Sequence, residues 1–429
     1  MAGVGGGGLG GTAGCRAGRG VRHRILVYRG GVAMVTITVA ERRARLAARH
    51  HLASGALAVS ALQAAADLIG LHGTDPSSAY LACWSRVTDF ETAELDRALY
   101  DDRSLLKILG MRRTMFIVPV ELGGVIQSAC TDAIAKGQRA RLVRMLEEAG
   151  IADVGAGSDW LAAIERETVA VLDRLGEATA ADLTKEVKGL RAQMTFSAGK
   201  RWQGQVGVST RLLFLLSAEG RIIRGRPKGS LVSSLYRWAP MDRWVAGGLP
   251  SIPREDAQPE LVRRYLGTYG PATLLDVRWW TGWTAAEARR ALFAIDAAEV
   301  GLEDGQTGWV LPGDEAPEAS PSSEPWIALL PALDSTIMGW QQRGWFLDPH
   351  GPRLFDRNGN AGPTIWIDGR VAGGWAQRRS GEIRWELLED VGTEARALIN
   401  ARVASLETWL GGFRFVPRFR TPLEVELGA

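Results

Sequence analysis

One arrangement of signals recurs three times along this chain: a long helical stretch, a glycine-marked turn, a capped helix, a further helix and then a β-hairpin. The middle copy carries it most plainly. Trp160, Ile164, Thr168, Val171, Leu172 and Leu175 recur at helical spacing and stop at Gly176. Thr179-Ala180-Ala181-Asp182 then has the form of a capping box, in which a threonine hydroxyl and an acid three residues on satisfy orphan N–H groups at a helix start. Leu212, Leu213, Leu215 and Leu216 mark a third helix closed by Gly220. Arg221-Ile222-Ile223-Arg224 and residues 230–238 are strand-like, joined through Gly225-Arg226-Pro227-Lys228-Gly229. Helix-turn-helix followed by a basic hairpin is the plan of a winged helix.

The last copy runs from Leu261, Val262, Tyr265 and Leu266 through Trp279-Trp280-Thr281-Gly282-Trp283 to the capping box Thr284-Ala285-Ala286-Glu287. A helix over 288–295 and a hairpin across Glu303-Asp304-Gly305 complete it. The first copy opens on the box Thr38-Val39-Ala40-Glu41, has a second helix over 59–69 ended by Gly70, and a strand over 111–119. The expected fold class is therefore α+β: three tandem winged-helix units followed by a small β-rich C-terminal domain. The expected divisions are a Gly/Arg-rich tail without order (1–33), winged helix 1 (34–120), a helical connector (121–155), winged helix 2 (156–245), winged helix 3 (254–312), an acidic Pro/Ser linker (313–325) and the β-rich domain (326–429). In that last part 326–331, 363–368 and 382–388 read as strands, Asp368-Gly369 signals a hairpin, and a helix over 393–410 follows. Periodic sequence begins just after Met34, the expected true start of the chain.

Charge narrows the choice of partner. The net charge is only +3, yet between Ala181 and Ser230 ten basic residues face three acids, whereas 296–335 has no Lys or Arg. Phosphate affinity comes from local counterion release, so such an asymmetric stretch fits a polyanion better than the small net charge suggests. The residues expected on DNA phosphates are Arg112, Arg113, Lys200, Arg201, Arg221, Arg224, Arg226 and Lys228. No apolar run approaches the length of a membrane helix, so no membrane partner is expected. Cys15, Cys83 and Cys130 are odd in number and outside CxxC spacing, which points to a reducing, cytoplasmic compartment without structural zinc. The five histidines do not cluster with Cys or acids at ligand spacing, so no metal and no cofactor are expected. There is no Walker pattern and no Gly-x-Ser-x-Gly elbow. His50 and His51, ending an Arg-rich amphipathic helix, are expected at the surface, and Trp279, Trp280 and Trp283 in core and turn packing.

One segment stands apart: Leu68-Ile69-Gly70-Leu71-His72-Gly73-Thr74-Asp75-Pro76-Ser77-Ser78-Ala79-Tyr80-Leu81-Ala82-Cys83-Trp84-Ser85-Arg86. Thr74 or Asp75 makes a good N-cap and Pro76 suits a first helical turn, which accounts for Asp75 and Pro76 but not for His72. The segment resembles the first-domain signature of the AlkZ/YcaQ family, a Gly-Leu before a polar-x-polar pair and a helix ending in Trp-x-Arg. Further likenesses follow in order: Met111-Arg112-Arg113-Thr114, Glu219-Gly220-Arg221-Ile222, Trp279-Trp280-Thr281-Gly282, Leu330-Pro331-Ala332-Leu333-Asp334, and Pro363-Thr364 through Asp368-Gly369-Arg370. They span nearly all of the chain after its tail.

The resemblance implies a monofunctional DNA glycosylase that hydrolyses the N-glycosidic bond of alkylated purines in duplex DNA. Such a cationic base leaves with little acid catalysis, so the protein's task is to stabilise an oxocarbenium-like sugar and position a water. The family uses a Gln-apolar-Gln pair, with variants in which His replaces the first Gln. By position that pair becomes His72 and Thr74, with Gly73 between. A neutral imidazole accepts a hydrogen bond from water as Gln does, whereas Thr74 is shorter than Gln. Asp75 can supply a carboxylate instead if it is not capping. The implied partner is double-stranded, alkylated DNA, bound by a monomer. The alternative is a non-catalytic DNA-binding protein, regulatory or architectural, with a degenerate glycosylase motif.

Overall fold

The computed structural model describes residues 26–29, 32–196, 204–230, 232–233, 235–317 and 324–429. Short sheets set among helices make it an α+β protein. Two paired strands open it, β1 (Leu26–Arg29) and β2 (Val32–Ile37), so strand begins inside the segment expected to lack it. Helix α1 (Val39–Arg49) starts at a complete capping box between Thr38 and Glu41. Helix α2 (Ala61–Asp67) is capped by Ser60. The chain then turns through Ile69 and Gly70, at φ 59° and 135°, into β3 (Leu71–His72). A Cβ on Gly70 would lie 2.8 Å from Val118 Cγ1, so this turn needs glycine for both space and conformation.

Helices α3 (Pro76–Arg86) and α4 (Thr92–Asp96) lead to β4 (Leu105–Leu109) and β5 (Met115–Pro119), which form an antiparallel sheet in the order β3-β5-β4. The strand expected from Met111 starts four residues later. Met111–Arg113 is instead a tight turn, with Arg112 and Arg113 both left-handed at φ 51° and 60°, because the chain must reverse between β4 and β5. Strand β4 has no alternation to reveal it, since all five of its residues are buried.

The middle of the chain holds α5 (Gly123–Ile126), α6 (Asp132–Glu148), α7 (Gly157–Leu175), β6 (Ala178–Thr179), α8 (Ala180–Glu186), β7 (Gln193–Phe196), β8 (Gly204–Gly207), α9 (Val208–Ala218), β9 (Ile222–Pro227) and β10 (Tyr236–Pro240). Gly176 ends α7 at φ 74°, and Thr179 with Asp182 caps α8 reciprocally. Leu161, Leu172, Leu183, Leu212, Leu216 and Trp238 give this part a core of its own.

Next come α10 (Met241–Trp244), α11 (Arg254–Tyr269), α12 (Leu274–Thr281), α13 (Ala285–Ala294), β11 (Ala298–Leu302) and β12 (Thr307–Val310). Capping boxes open both α12, at Thr273, and α13, at Thr284. Strand β11 pairs in parallel with β2, which joins the two ends of the helical region in one sheet, β1-β2-β11-β12. The remainder comprises β13 (Ile327–Leu330), α14 (Gly344–Leu347), α15 (Gly351–Leu354), β14 (Thr364–Ile367), β15 (Arg370–Gln377), β16 (Ile383–Leu387), α16 (Gly392–Leu410) and α17 (Pro422–Leu427). Its sheet runs β13-β14-β15-β16.

This C-terminal sheet shares its cores with the rest of the chain. Leu81, Trp84 and Leu95 pack in one cluster with Ile365, Trp375 and Leu406. Tyr265, Tyr269 and Trp280 pack in another with Trp340, Phe346 and Trp366. Trp366 and Trp375 are fully buried, and each removes enough apolar area to contribute about 4–6 kcal/mol on transfer. One expectation fails against this packing. His50 and His51 are buried, not at the surface: His50 stacks on Trp340 at 5.7 Å and its Nδ1 lies 2.9 Å from Thr336 Oγ1, while His51 lies against Asp67. The acidic segment after Leu311 is tied down at Asp314, which pairs with Arg45 at 3.0 Å and Arg49 at 2.7 Å.

Candidate active site

The turn from α2 into β3 presents His72 and Thr74 at the edge of the first sheet. His72 pairs with Phe116 across to β5, and the N–H of Gly73 donates to the Met115 carbonyl at 2.8 Å. Backbone carbonyls hold the turn from outside: Leu68 accepts from the Tyr269 hydroxyl at 3.1 Å and Gly70 from the Ser335 hydroxyl at 2.8 Å. The turn is therefore set by α11 and by the segment after β13, not by its own sequence alone.

His72 is 3% exposed, tilts against the Phe116 ring, and has a buried Nδ1 without a hydrogen-bond partner. Burial, then the Arg112 guanidinium, pushes its pKa down to about 3, with Asp334 opposing. The imidazole is neutral at physiological pH, with a proton on one ring nitrogen and a lone pair on the other. Thr74 Oγ1 accepts the Met115 N–H at 3.1 Å, which leaves its hydroxyl proton for a donor role. Asp75 is the N-cap of α3. Its Oδ1 accepts Ser77 N–H at 3.0 Å and Ser77 Oγ–H at 2.7 Å, and its Oδ2 accepts Arg418 N–H at 2.7 Å. The condition under which Asp75 would act as a reacting carboxylate is thus not met, because both oxygens are engaged in capping and in holding 418.

Other side chains converge from distant segments. Arg112, at the tight turn, lies 3.8 Å over Trp279, and Arg343 lies 4.7 Å over the same indole. Burial pushes the pKa of each down to about 10, with Arg343 adding to the shift of Arg112 and Asp276 opposing that of Arg343. Arg86 meets Asp334 in a fully buried bidentate pair, at 2.8 and 2.9 Å, so the Trp-x-Arg and Leu-Pro-Ala-Leu-Asp motifs become one structural unit. Lys107 on β4 is 6% exposed, and burial followed by Arg224 pushes it down to about 7. Lys107 and Arg343 are not singled out by the sequence, and Asp334 is marked there only as the end of the Leu330-Pro331-Ala332-Leu333-Asp334 motif, with no role. A lone cation in the apolar run Leu105-Leu106-Lys107-Ile108-Leu109 is the available signal for Lys107; Arg343 has none.

The expected phosphate contacts fall into three groups. Arg221 pairs with Glu165 at 3.0 Å, and Arg226 with Asp101 at 2.9 Å, so both have acidic partners. Arg224 lies over Tyr236 and Trp238, Arg113 lies beside Gln138, and Lys228 is exposed in the hairpin loop. Lys200 and Arg201 lie outside the described residues. Among the described residues no group of three His, Cys, Asp or Glu is placed to hold a metal, and no helix is long and apolar enough to cross a membrane.

A family model described as DNA glycosylase AlkZ-like matches residues 65–409. Among solved structures the chain is similar to the Streptomyces sahachiroi DNA glycosylase AlkZ, with a TM-score of 0.67 and 21% identity over 87% of this chain and 97% of that one. At that identity the likeness speaks for the fold. No curated protein sequence matches the chain.

Proposed function

The chain belongs to the AlkZ-like DNA glycosylase family, and on that premise we propose that it hydrolyses the N-glycosidic bond of an alkylated purine in duplex DNA, with His72 and Thr74 at the reacting sugar. The observation that carries this reading is the unpartnered, buried Nδ1 of a neutral His72 at the position of the family's polar pair. A ring nitrogen in that state costs free energy unless something donates to it, and a water held for attack on the anomeric carbon would do so. The cationic base leaves without a general acid, so an imidazole that does not take up a second proton is no handicap. Thr74 orients the same water through its free hydroxyl proton.

In this reading the three helix-and-hairpin sets are winged helices. Arg112, Arg113, Arg224 and Lys228 contact phosphates, and Lys200 and Arg201 belong with them. Arg221 and Arg226 brace the middle hairpin through their acidic partners. Phosphate contacts position the protein without reading sequence, which suits a search for damage. The protein acts as a monomer in the cytoplasm. The engagement of Asp75 in capping favours one second reading, a DNA-binding protein that retains the fold without the chemistry.

The deciding experiment is release of base from duplex DNA containing N7-methylguanine, with wild type, His72→Ala and Thr74→Ala side by side. Release by wild type and its loss in His72→Ala supports catalysis at the turn. No release with DNA affinity retained leaves the second reading.

A further inference from the structure

A cleft of about 560 Å³ opens between the start of α3 and the segment after α16. Arg378, Arg379, Arg414 and Arg418 line it, with Asp75 the one carboxylate among the described residues there. That carboxylate is already occupied by three hydrogen bonds. Arg379 and Arg418 are exposed, and neither side chain makes a hydrogen bond or an ion pair among the described residues. Arg414 is held in place by the carbonyls of Gly411, Phe413 and Ser380 at 2.8–2.9 Å, so its guanidinium has an ordered position without a counter-charge. Val232, from the loop of the middle hairpin, reaches the same cleft. Positive charge also continues inward: burial lowers the pKa of Arg224 and of Lys107, and Arg418 adds to the first shift as Arg224 adds to the second.

We propose that this cleft grips the phosphodiester backbone of the DNA strand running past the His72 turn, so that the C-terminal segment and the middle hairpin close on one strand. The inference rests on the DNA-binding reading above and gives the C-terminal domain a part in it. Guanidinium forks match phosphate oxygens; Arg378 has Glu382 at 3.7 Å, while Arg379, Arg414 and Arg418 have no carboxylate partner among the described residues, and their crowding is relieved when a polyanion releases its counterions there. Position decides which stretch of DNA is held. Asp75 directly follows Thr74, so a nucleotide lying against His72 and Thr74 brings its neighbouring phosphates to the cleft.

The test is fluorescence anisotropy of a labelled, undamaged duplex at a series of salt concentrations, comparing wild type with Arg379→Ala/Arg418→Ala. Each lost phosphate contact lowers the slope of log affinity against log salt by about 0.9, so the double variant is expected to lose about two from the slope. Its melting temperature should not move, and Arg379→Lys/Arg418→Lys should recover the slope, which repair of mere packing would not require. An unchanged slope and affinity in the alanine variant overturns the clamp while the DNA-binding reading stands. A wild type without salt-dependent affinity overturns both.

Discussion

At the residue scale, the environment separates three adjacent polar side chains into different tasks. Asp75 caps α3 and holds Arg418 through separate oxygens, so Asp75→Asn, which keeps the cap's acceptor but turns an NH2 toward the Arg418 N–H, should cost about 1–3 kcal/mol of stability and retain base release. Loss of release in a variant that is still folded at the assay temperature would instead make the carboxylate a reacting group. His72 titrates far from its ordinary range. Its folded pKa of about 3 lies below the unfolded 6.5, so between these values the unfolded chain binds a proton that the folded chain refuses. Its contribution is therefore present above pH 6.5 and is lost as pH falls toward 3. Thermal melts over a pH series should show His72→Gln losing less stability on acidification than wild type. An identical pH dependence in the two would show that His72 titrates normally. Across about pH 5 to 8, where an ordinary imidazole changes charge, base release should show no step from this residue.

At the scale of elements, the site is held by contacts that cross long stretches of chain. Helix α3 ends in Arg86, whose guanidinium is shared by Asp334 after β13, by Thr336 Oγ1 and by the His50 carbonyl. Both charges are fully buried, so removing one partner leaves the other uncompensated, at a cost of about 3–5 kcal/mol. Arg86→Ala should lower stability by that amount in denaturant titration, and Arg86→Ala/Asp334→Ala should cost less than the sum of the two single changes. Additive losses would show that the pair contributes little as a pair. The turn Met111–Arg113 shows the same dependence on context. Two successive left-handed arginines cost roughly 1–3 kcal/mol each, and the turn places one guanidinium on Trp279 and the other beside Gln138.

At the scale of the whole molecule, the cores divide the chain differently from its repeats. The middle set encloses its own apolar cluster, whereas the first set, α11–α13 and the C-terminal sheet share theirs. Truncation after residue 325 should therefore expose the Trp84 and Tyr269 faces and leave the first set unprotected in hydrogen exchange, with the middle set still protected. Equal protection in both would mean that the first set folds without the C-terminal sheet.

The sequence by itself determined the local elements. The boxes at Thr38, Thr179 and Thr284 and the stop at Gly176 were legible because each signal is complete within about one helical turn. His72 stands out in the sequence too, as the residue that capping does not explain. Only the tertiary structure decided what these residues experience. Burial of His50 and His72, the pairing of Arg86 with Asp334 across 248 positions, and the arrival of Arg418 at Asp75 depend on atoms supplied by remote segments. Desolvation and ion pairing act through space, and a pattern read along the chain carries no record of which distant side chain will close on it.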